Sequence, residues 1–242
     1  MEVFLCAILG LAIGSFLNVL ILRIPTGENI AFPASHCTKC NKKLKLYHNI
    51  PLISWIFLGG KCAYCKEKIS LQYPLIELIT SFLFIISYLK TEDLQTSLIY
   101  SLLFSLLLAL SIIDLRYKAV PDILSFPALF VALFTGNLSE TFSNALLFAG
   151  GFALLRMIIS SIIKKEAMGE ADIIIASIIG AVLGVKLGVG AIYISSVIAL
   201  PAFLIVGKKG FELPFIPFLT IGMFVTWLLD KQILQLWDKI YG

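Results

Sequence analysis

Apolar runs separated by short polar stretches occupy most of this chain and constrain its fold more than any other feature. Hydrophobic residues make up 59% of the 242 positions and charged residues only 14%, and the mean hydropathy is +0.97. Soluble domains are far less apolar, so the runs predict membrane-spanning helices. We therefore expect an all-α polytopic membrane protein with about eight transmembrane helices, at residues 3–22, 75–89, 98–113, 123–134, 142–163, 173–185, 189–206 and 213–229.

The first run predicts a retained spanning helix and not a cleaved signal peptide. It begins after Met1-Glu2, which lacks the positive charge of a signal peptide, and it is long enough to span. Gly10 and Gly14 lie four residues apart, a spacing that favours close packing against another helix. Asn18 either forms polar contacts between helices or lines a site. The sequence leaves both open.

Residues 23–72 differ from the rest of the chain in composition. They contain eight Lys or Arg against two acidic residues, together with four of the five cysteines. A segment of this length buries little core, and small domains usually need a covalent or metal cross-link. We expect the first transmembrane helix at residues 1–22, this small domain at 23–72, a core of about seven helices at 73–230 and a short amphipathic tail at 231–242.

The cysteines of this domain form two Cys-x-x-Cys pairs, Cys37 with Cys40 and Cys62 with Cys65. Each pair presents two thiolates from one turn, and two such turns complete the tetrahedron that zinc prefers. The pattern predicts a structural zinc site, and the alternative is a disulfide or redox pair. His36 and His48 are expected to be structural or exposed to solvent, and Cys6, in the first run, to be a small buried residue.

The distribution of basic residues predicts the orientation in the membrane. If residues 23–72 are cytosolic, 14 of the 19 Lys and Arg residues lie on the inside. Both termini then lie outside. The inside loops are residues 114–121, 164–172 and 207–212, with Lys165, Lys208 and Lys209 among their basic residues. A basic membrane protein of this kind gives no indication of nucleic-acid binding.

Two aspartates stand where apolar runs meet polar loops on the predicted cytosolic side. Asp114 ends one run, and Asp172 begins another after Met168-Gly169. Ionisable groups at the membrane boundary are costly and usually functional. Two carboxylates that share a proton can hydrolyse a peptide, one activating water and the other protonating the carbonyl oxygen. The alternatives are helix capping or an ion relay in a transporter.

Other charged residues near these boundaries are assigned lesser roles. Asp122 follows Pro121 and is expected to cap a helix. Glu77 is either an acid at a helix end or part of the site, and the sequence leaves both open. Glu166 and Glu170 are expected to be solvated loop acids that can meet a basic substrate.

The chain resembles the type IV prepilin peptidases, a family of bifunctional leader peptidases and N-methyltransferases of bacterial inner membranes. The resemblance extends over nearly the whole length. The matching blocks are Gly14-Ser-Phe-Leu-Asn18-Val, Arg23-Ile-Pro25, the two cysteine pairs, Asn49-Ile-Pro51, Ser54-Trp55, Gly60-Lys61-Cys62, Ile69-Ser70, Tyr73-Pro74-Leu75-Ile76-Glu77, Ile113-Asp114, Val120-Pro121-Asp122 and Glu166-Ala167-Met168-Gly169 leading to Asp172.

This resemblance implies that Asp114 and Asp172 are the catalytic pair. The family's Gly-x-Gly-Asp motif reads Gly169-Glu170-Ala171-Asp172 here, and Ile174 replaces a lysine that often follows. An alanine in place of glycine restricts the backbone angles at Ala171, so we expect the substitution to affect the geometry of this loop more than the carboxylate itself. The methyl-donor site is not assigned to any residue.

The resemblance also implies the substrates, which are type IV prepilins or pseudopilins of type II secretion or DNA uptake. The enzyme would remove a short basic leader at the cytosolic face and then methylate the new N-terminus with S-adenosylmethionine. Two other functions stay open: an ion-coupled transporter that uses the boundary aspartates, and a zinc-dependent membrane assembly factor without catalysis.

Overall fold

The structure is a computed structural model that describes residues 1–164, 168–206 and 213–241. Four residues with roles predicted from the sequence lie outside these ranges: Lys165, Glu166, Lys208 and Lys209. Within them the secondary structure is helical apart from two isolated β-bridges in the cysteine domain. The helices are α1 (Glu2–Arg23), a 3-10 turn (Leu46–Asn49), α2 (Ile53–Phe57), α3 (Gln72–Thr91), α4 (Leu94–Tyr117), α5 (Asp122–Ala132), α6 (Leu138–Ile163), α7 (Glu170–Val206), α8 (Ile216–Leu228) and α9 (Asp230–Tyr241).

Five of the described helices, α1, α3, α4, α6 and α7, are long and apolar enough to cross a membrane. Helices α5 and α8 are also apolar but shorter, with 11 and 13 residues. The predicted all-α class is therefore confirmed. The two runs expected at residues 173–185 and 189–206 are joined in α7, which has 37 residues and one non-helical position, Gly184.

The chain forms two compact units, Met1–Ser105 and Leu106–Gly242, whose boundary falls within α4. In the first unit α1 packs closely against α3. A Cβ atom on Gly10 would lie 2.6 Å from Cα of Ser81, and one on Gly14 would lie 2.7 Å from Cα of Glu77. These distances leave no room for a side chain, so the predicted packing role of both glycines is confirmed.

Asn18 joins the same two helices through hydrogen bonds. Its side-chain amide donates to the backbone carbonyls of Gly14 and Tyr73, each at 3.2 Å, and its Oδ1 accepts from Gln72 Nε2 at 3.3 Å. The side chain is buried, where an amide without partners would be costly. Asn18 therefore forms polar contacts between helices, which is one of the two roles that the sequence left open.

In the second unit α7 changes direction at Gly184. This residue has φ 66° and ψ −172°, a conformation almost restricted to glycine. The ring of Phe148 in α6 packs beside the break, where a Cβ atom on either Gly180 or Gly188 would lie 2.6 Å from a ring atom. The three glycines thus allow α7 to bend and to pack closely against α6.

Helix α8 packs against the second half of α7 and against α4. Gly222 faces the side chain of Ser195, and Ser111 Oγ donates to Thr220 Oγ1 at 3.1 Å. These contacts bring the start of α8 to the end of α4, which carries Asp114.

Candidate active site and metal centre

Asp114 lies one turn before the end of α4 and is only 7% exposed. Its Oδ2 accepts a hydrogen bond from the backbone N–H of Ile216 at 3.3 Å. Ile216 is the first residue of α8, and the first N–H groups of a helix have no partner within it and carry partial positive charge. The start of α8 is therefore a favourable place for a carboxylate.

Asp172 lies in the first turn of α7. Its Oδ2 accepts a hydrogen bond from the backbone N–H of Gly169 at 3.1 Å, so this carboxylate also lies at a helix start. The contact resembles the back-bond of a capping box, and part of the capping interpretation is therefore correct for Asp172.

Ala171, which replaces the second glycine of the family motif, is helical in α7 and does not have a positive φ. Alanine is a better helix former than glycine. The substitution is therefore compatible with the backbone that presents Asp172.

One cavity of about 730 Å³ joins the two aspartates. Its walls come from the end of α4, the residues that precede and begin α7, the second half of α7 and the segment that leads into α8. The apolar lining includes Leu200, Phe203 and Phe215, and the other charged residues among those that line it are Lys118 and Glu170. The cavity thus holds two carboxylates between apolar walls.

The residues that line this cavity show that α7 folds back on itself at Gly184. Asp172 and Phe203 both line the cavity, yet a straight α-helix would separate residues so far apart in sequence by about 46 Å. The second half of α7 must therefore fold back beside the first. This bend brings the apolar residues near Val206 to the aspartate near Glu170.

The four predicted zinc ligands form a cluster in the first unit. The sulfur atoms of Cys37, Cys40, Cys62 and Cys65 all lie within 4.8 Å of one another, and those of Cys37 and Cys65 are 3.8 Å apart. Four thiolates around a zinc at about 2.3 Å lie about 3.8 Å apart. All four cysteines are free, so the disulfide alternative finds no support, and the cluster fits a tetrahedral metal.

Two similar turns present these cysteines. The N–H of Asn41 donates to the carbonyl of Cys37 and the N–H of Lys66 to that of Cys62, and both donors have a positive φ. Hydrogen bonds from the backbone N–H groups of Cys65 and Tyr64 lower the pKa of Cys62 to about 6. Backbone N–H groups that point at the sulfur favour the thiolate, which is the form that binds metal.

The remaining candidates lie outside this metal cluster. His36 has its Nδ1 3.2 Å from the carbonyl oxygen of Ala34, while His48 packs edge-on against the rings of Tyr47 and Tyr64. Cys6 is buried in α1. These positions agree with the structural roles that the sequence predicted.

Asp122 differs from its prediction. It is the first residue of α5, and the N-cap position before it is Pro121, with no side-chain cap hydrogen bond. Asp122 is exposed and is not among the residues that line the cavity. The predicted cap is wrong because the helix begins one residue too early for Asp122 to occupy the N-cap.

Two polar contacts were not predicted from the sequence. Glu77 is buried and accepts a hydrogen bond from the backbone N–H of Leu52 at 2.8 Å. Glu77 therefore holds the cysteine domain to α3. This role differs from the two that the sequence left open, an acid at a helix end and a part of the site.

Arg156, within the apolar helix α6, forms an ion pair with Glu170 at 3.3 Å. A charge inside an apolar run was the available signal for Arg156.

The start of α8 was also missed. Ile216 contributes only its backbone N–H. Nearly every residue type has this group, so the identity of the residue gives no signal. The prolines at positions 214 and 217 were the available signal, because proline is favoured in the first turn of a helix.

Comparisons with known proteins agree with this architecture. The chain matches the model of the bacterial peptidase A24 N-terminal domain over residues 8–91 and that of the type IV leader peptidase family over residues 101–204. No solved structure matches it. The chain is 32% identical, over 90% of both chains, to the type 4 prepilin-like proteins leader peptide-processing enzyme of Escherichia coli O78:H11.

Two further relatives carry the name prepilin leader peptidase/N-methyltransferase. The one from Bacillus subtilis is 31% identical over 96% of both chains. The one from Pseudomonas aeruginosa is 30% identical over 98% of this chain and 94% of its own length. At these identities over nearly full length, the chain belongs to the type IV leader peptidase family.

Proposed function

We propose that this protein is a membrane aspartyl endopeptidase that removes the short basic leader from type IV prepilins or pseudopilins. The observation that carries the proposal is that Asp114 and Asp172 line one cavity. They are separated by more than 50 positions in the sequence, and each lies at a helix start where backbone N–H groups favour a carboxylate. Membership of the leader peptidase family supports the same activity.

The chemistry follows from two carboxylates that share a proton. One takes a proton from a water molecule, which attacks the scissile carbonyl carbon. The other donates its proton to the carbonyl oxygen. The hydrogen bonds from Ile216 and Gly169 orient the two side chains.

We propose eight membrane spans, with the cysteine domain in the cytosol and both termini outside. Seven apolar helices are separate elements in the part of the chain that the structure describes. Helix α7, with 37 residues, extends about 55 Å and is therefore much longer than one hydrocarbon core of about 30 Å. The bend at Gly184 supports counting its two halves separately. The excess of basic residues on one side supports the orientation, and the family supports the bacterial inner membrane.

We propose that residues 23–72 form a zinc domain, with Cys37, Cys40, Cys62 and Cys65 as ligands. The donor set and the sulfur spacing support zinc. The metal would connect two turns of a segment that has little core of its own, so its role is structural.

A second activity, N-methylation of the new N-terminus, is supported by the names of the relatives. S-adenosylmethionine would supply the methyl group. We assign this step to no particular residue.

The experiment is cleavage of a purified prepilin by the detergent-solubilised protein, with mass spectrometry of the product. Asp114→Asn and Asp172→Asn are expected to abolish cleavage, while Asp122→Asn, which alters an exposed acid outside the cavity, is the matched control. Cleavage by either of the first two variants at the wild-type rate would overturn the assignment. A product heavier by one methyl group after addition of S-adenosylmethionine would support the second activity.

A further inference from the structure

Glu170 occupies a distinctive position in the cavity. It is the first residue of α7, lies two residues before Asp172 and lines the same cavity. Its side chain is 84% exposed, so it is accessible from the solvent. Among the described carboxylates that line the cavity, Asp114 and Asp172 are assigned to the peptide bond. Glu170 therefore remains for contact with another part of the substrate.

Arg156 holds this carboxylate from the neighbouring helix. Its Nη1 and Nη2 atoms lie 3.3 and 3.4 Å from the same oxygen of Glu170, Oε1. The Arg156 side chain is 23% exposed and lies within α6, a helix apolar enough to span the membrane. A cation in such a segment is costly and usually serves a function.

Stability alone does not account for this pair. Ion pairs with a well-exposed partner contribute little to folding. A carboxylate held in one place by a guanidinium, however, has its orientation set before a ligand arrives, which reduces the entropy lost on binding. The pair is therefore better suited to binding than to folding.

We propose that Glu170 binds a basic side chain of the leader and thereby selects basic leaders, with Arg156 as its positioning residue. This inference rests on the proposed leader peptidase activity. The leader lies next to the scissile bond, and Glu170 lines the same cavity as Asp172, so one bound substrate reaches both carboxylates. The positive charge of the leader is complementary to Glu170.

The test uses the full-length protein in detergent and two prepilins that differ only in the leader, one with its natural Lys and Arg residues and one with Gln in their place. We expect the wild type to have a higher kcat/KM for the basic leader. Glu170→Gln should lower this preference about tenfold, because a charge-assisted hydrogen bond is lost. Glu170→Lys should reverse the preference in favour of the Gln leader, because two positive charges then repel each other.

The role of Arg156 is tested by measuring whether KM or kcat changes when this residue is replaced. Arg156→Met should raise KM for the basic leader while kcat is largely kept, and Arg156→Lys should restore part of the affinity, because it keeps the charge. Glu140→Gln, an exposed acid in the first turn of α6, is the control and should keep the wild-type preference.

The outcomes separate this inference from the proposed function. If the wild type cleaves neither prepilin, the proposed function fails and the inference falls with it. If the wild type cleaves and prefers the basic leader, but Glu170→Gln keeps the full preference, only the role of Glu170 is overturned. A loss of kcat without a change in KM in Arg156→Met would overturn the positioning role.

Discussion

The carboxylate of Glu77 accepts a hydrogen bond of 2.8 Å from the backbone N–H of Leu52. This contact joins α3 to the cysteine domain at a residue with a positive φ, since Leu52 has φ 58°. Glu77 is 6% exposed, so water could not readily replace its carboxylate as the acceptor for the Leu52 N–H. The contact is one of the links between the cysteine domain and the helices of the first unit.

Replacing Glu77 with Ala should destabilise the protein by about 1–3 kcal/mol, because a buried N–H loses its acceptor. Glu77→Gln should cost less, since its amide oxygen can still accept. Glu28→Ala changes an exposed acid of the cysteine domain and should leave stability nearly unchanged. Thermal unfolding in detergent measures all three, and equal melting temperatures for Glu77→Ala and the wild type would contradict the link.

The break in α7 predicts a strong effect at one glycine. Gly184 has φ 66° and ψ −172°, so Gly184→Ala should destabilise the protein by about 1–3 kcal/mol. Gly190→Ala is the matched control, because its Cβ would meet only Ile233 at 4.0 Å. It should be neutral or stabilising in a helix. Equal melting temperatures for the two variants would show that the bend does not need glycine.

The packing of α6 on α7 predicts a specific rescue. The three atoms nearest to a Cβ on Gly188 would all belong to the Phe148 ring, at 2.6 to 3.4 Å, whereas one on Gly180 would also meet the backbone oxygen of Asn144 at 2.7 Å. Both alanine variants should be destabilised by about 1–3 kcal/mol. Phe148→Leu should rescue Gly188→Ala more than Gly180→Ala in a double-mutant cycle. Equal rescue would contradict this packing.

The cysteine cluster predicts one bound zinc. Purified wild-type protein should contain about one zinc per chain, and Cys62→Ser should lose it, because three thiolates no longer complete the tetrahedron. Cys6→Ser is the matched control, since Cys6 is buried in α1 outside the cluster. Metal analysis measures the content, and protease digestion should cut residues 23–72 faster in the zinc-free variant. Full zinc retention in Cys62→Ser would exclude this site.

Much of the fold could be predicted from patterns within short segments. The length and apolarity of the runs predict helices, and two Cys-x-x-Cys pairs predict a four-sulfur cluster, because both signals depend on local spacing. The start of α7 near Asp172 follows in the same way from Gly169. The join between residues 185 and 189 could not be predicted, since it depends on how Gly180 and Gly188 pack against Phe148 of α6.

The contacts of the site were harder to predict, because they join distant residues. The partner of Asp114 is a backbone N–H more than 100 positions away, at Ile216. Neither the link from Glu77 to Leu52 nor the pair of Arg156 and Glu170 follows from local spacing. Such contacts depend on which helices are neighbours, and one sequence alone does not give that order.

The central claim is that Asp114 and Asp172 act as one unit, and a double variant tests it most directly. The kcat for prepilin cleavage should fall by at least about 10²–10⁴ in each single Asp→Asn variant. The double variant should lose no more than either single one, because residues that act together are not additive. Losses that multiply in the double variant, or normal cleavage in either single variant, would contradict the account.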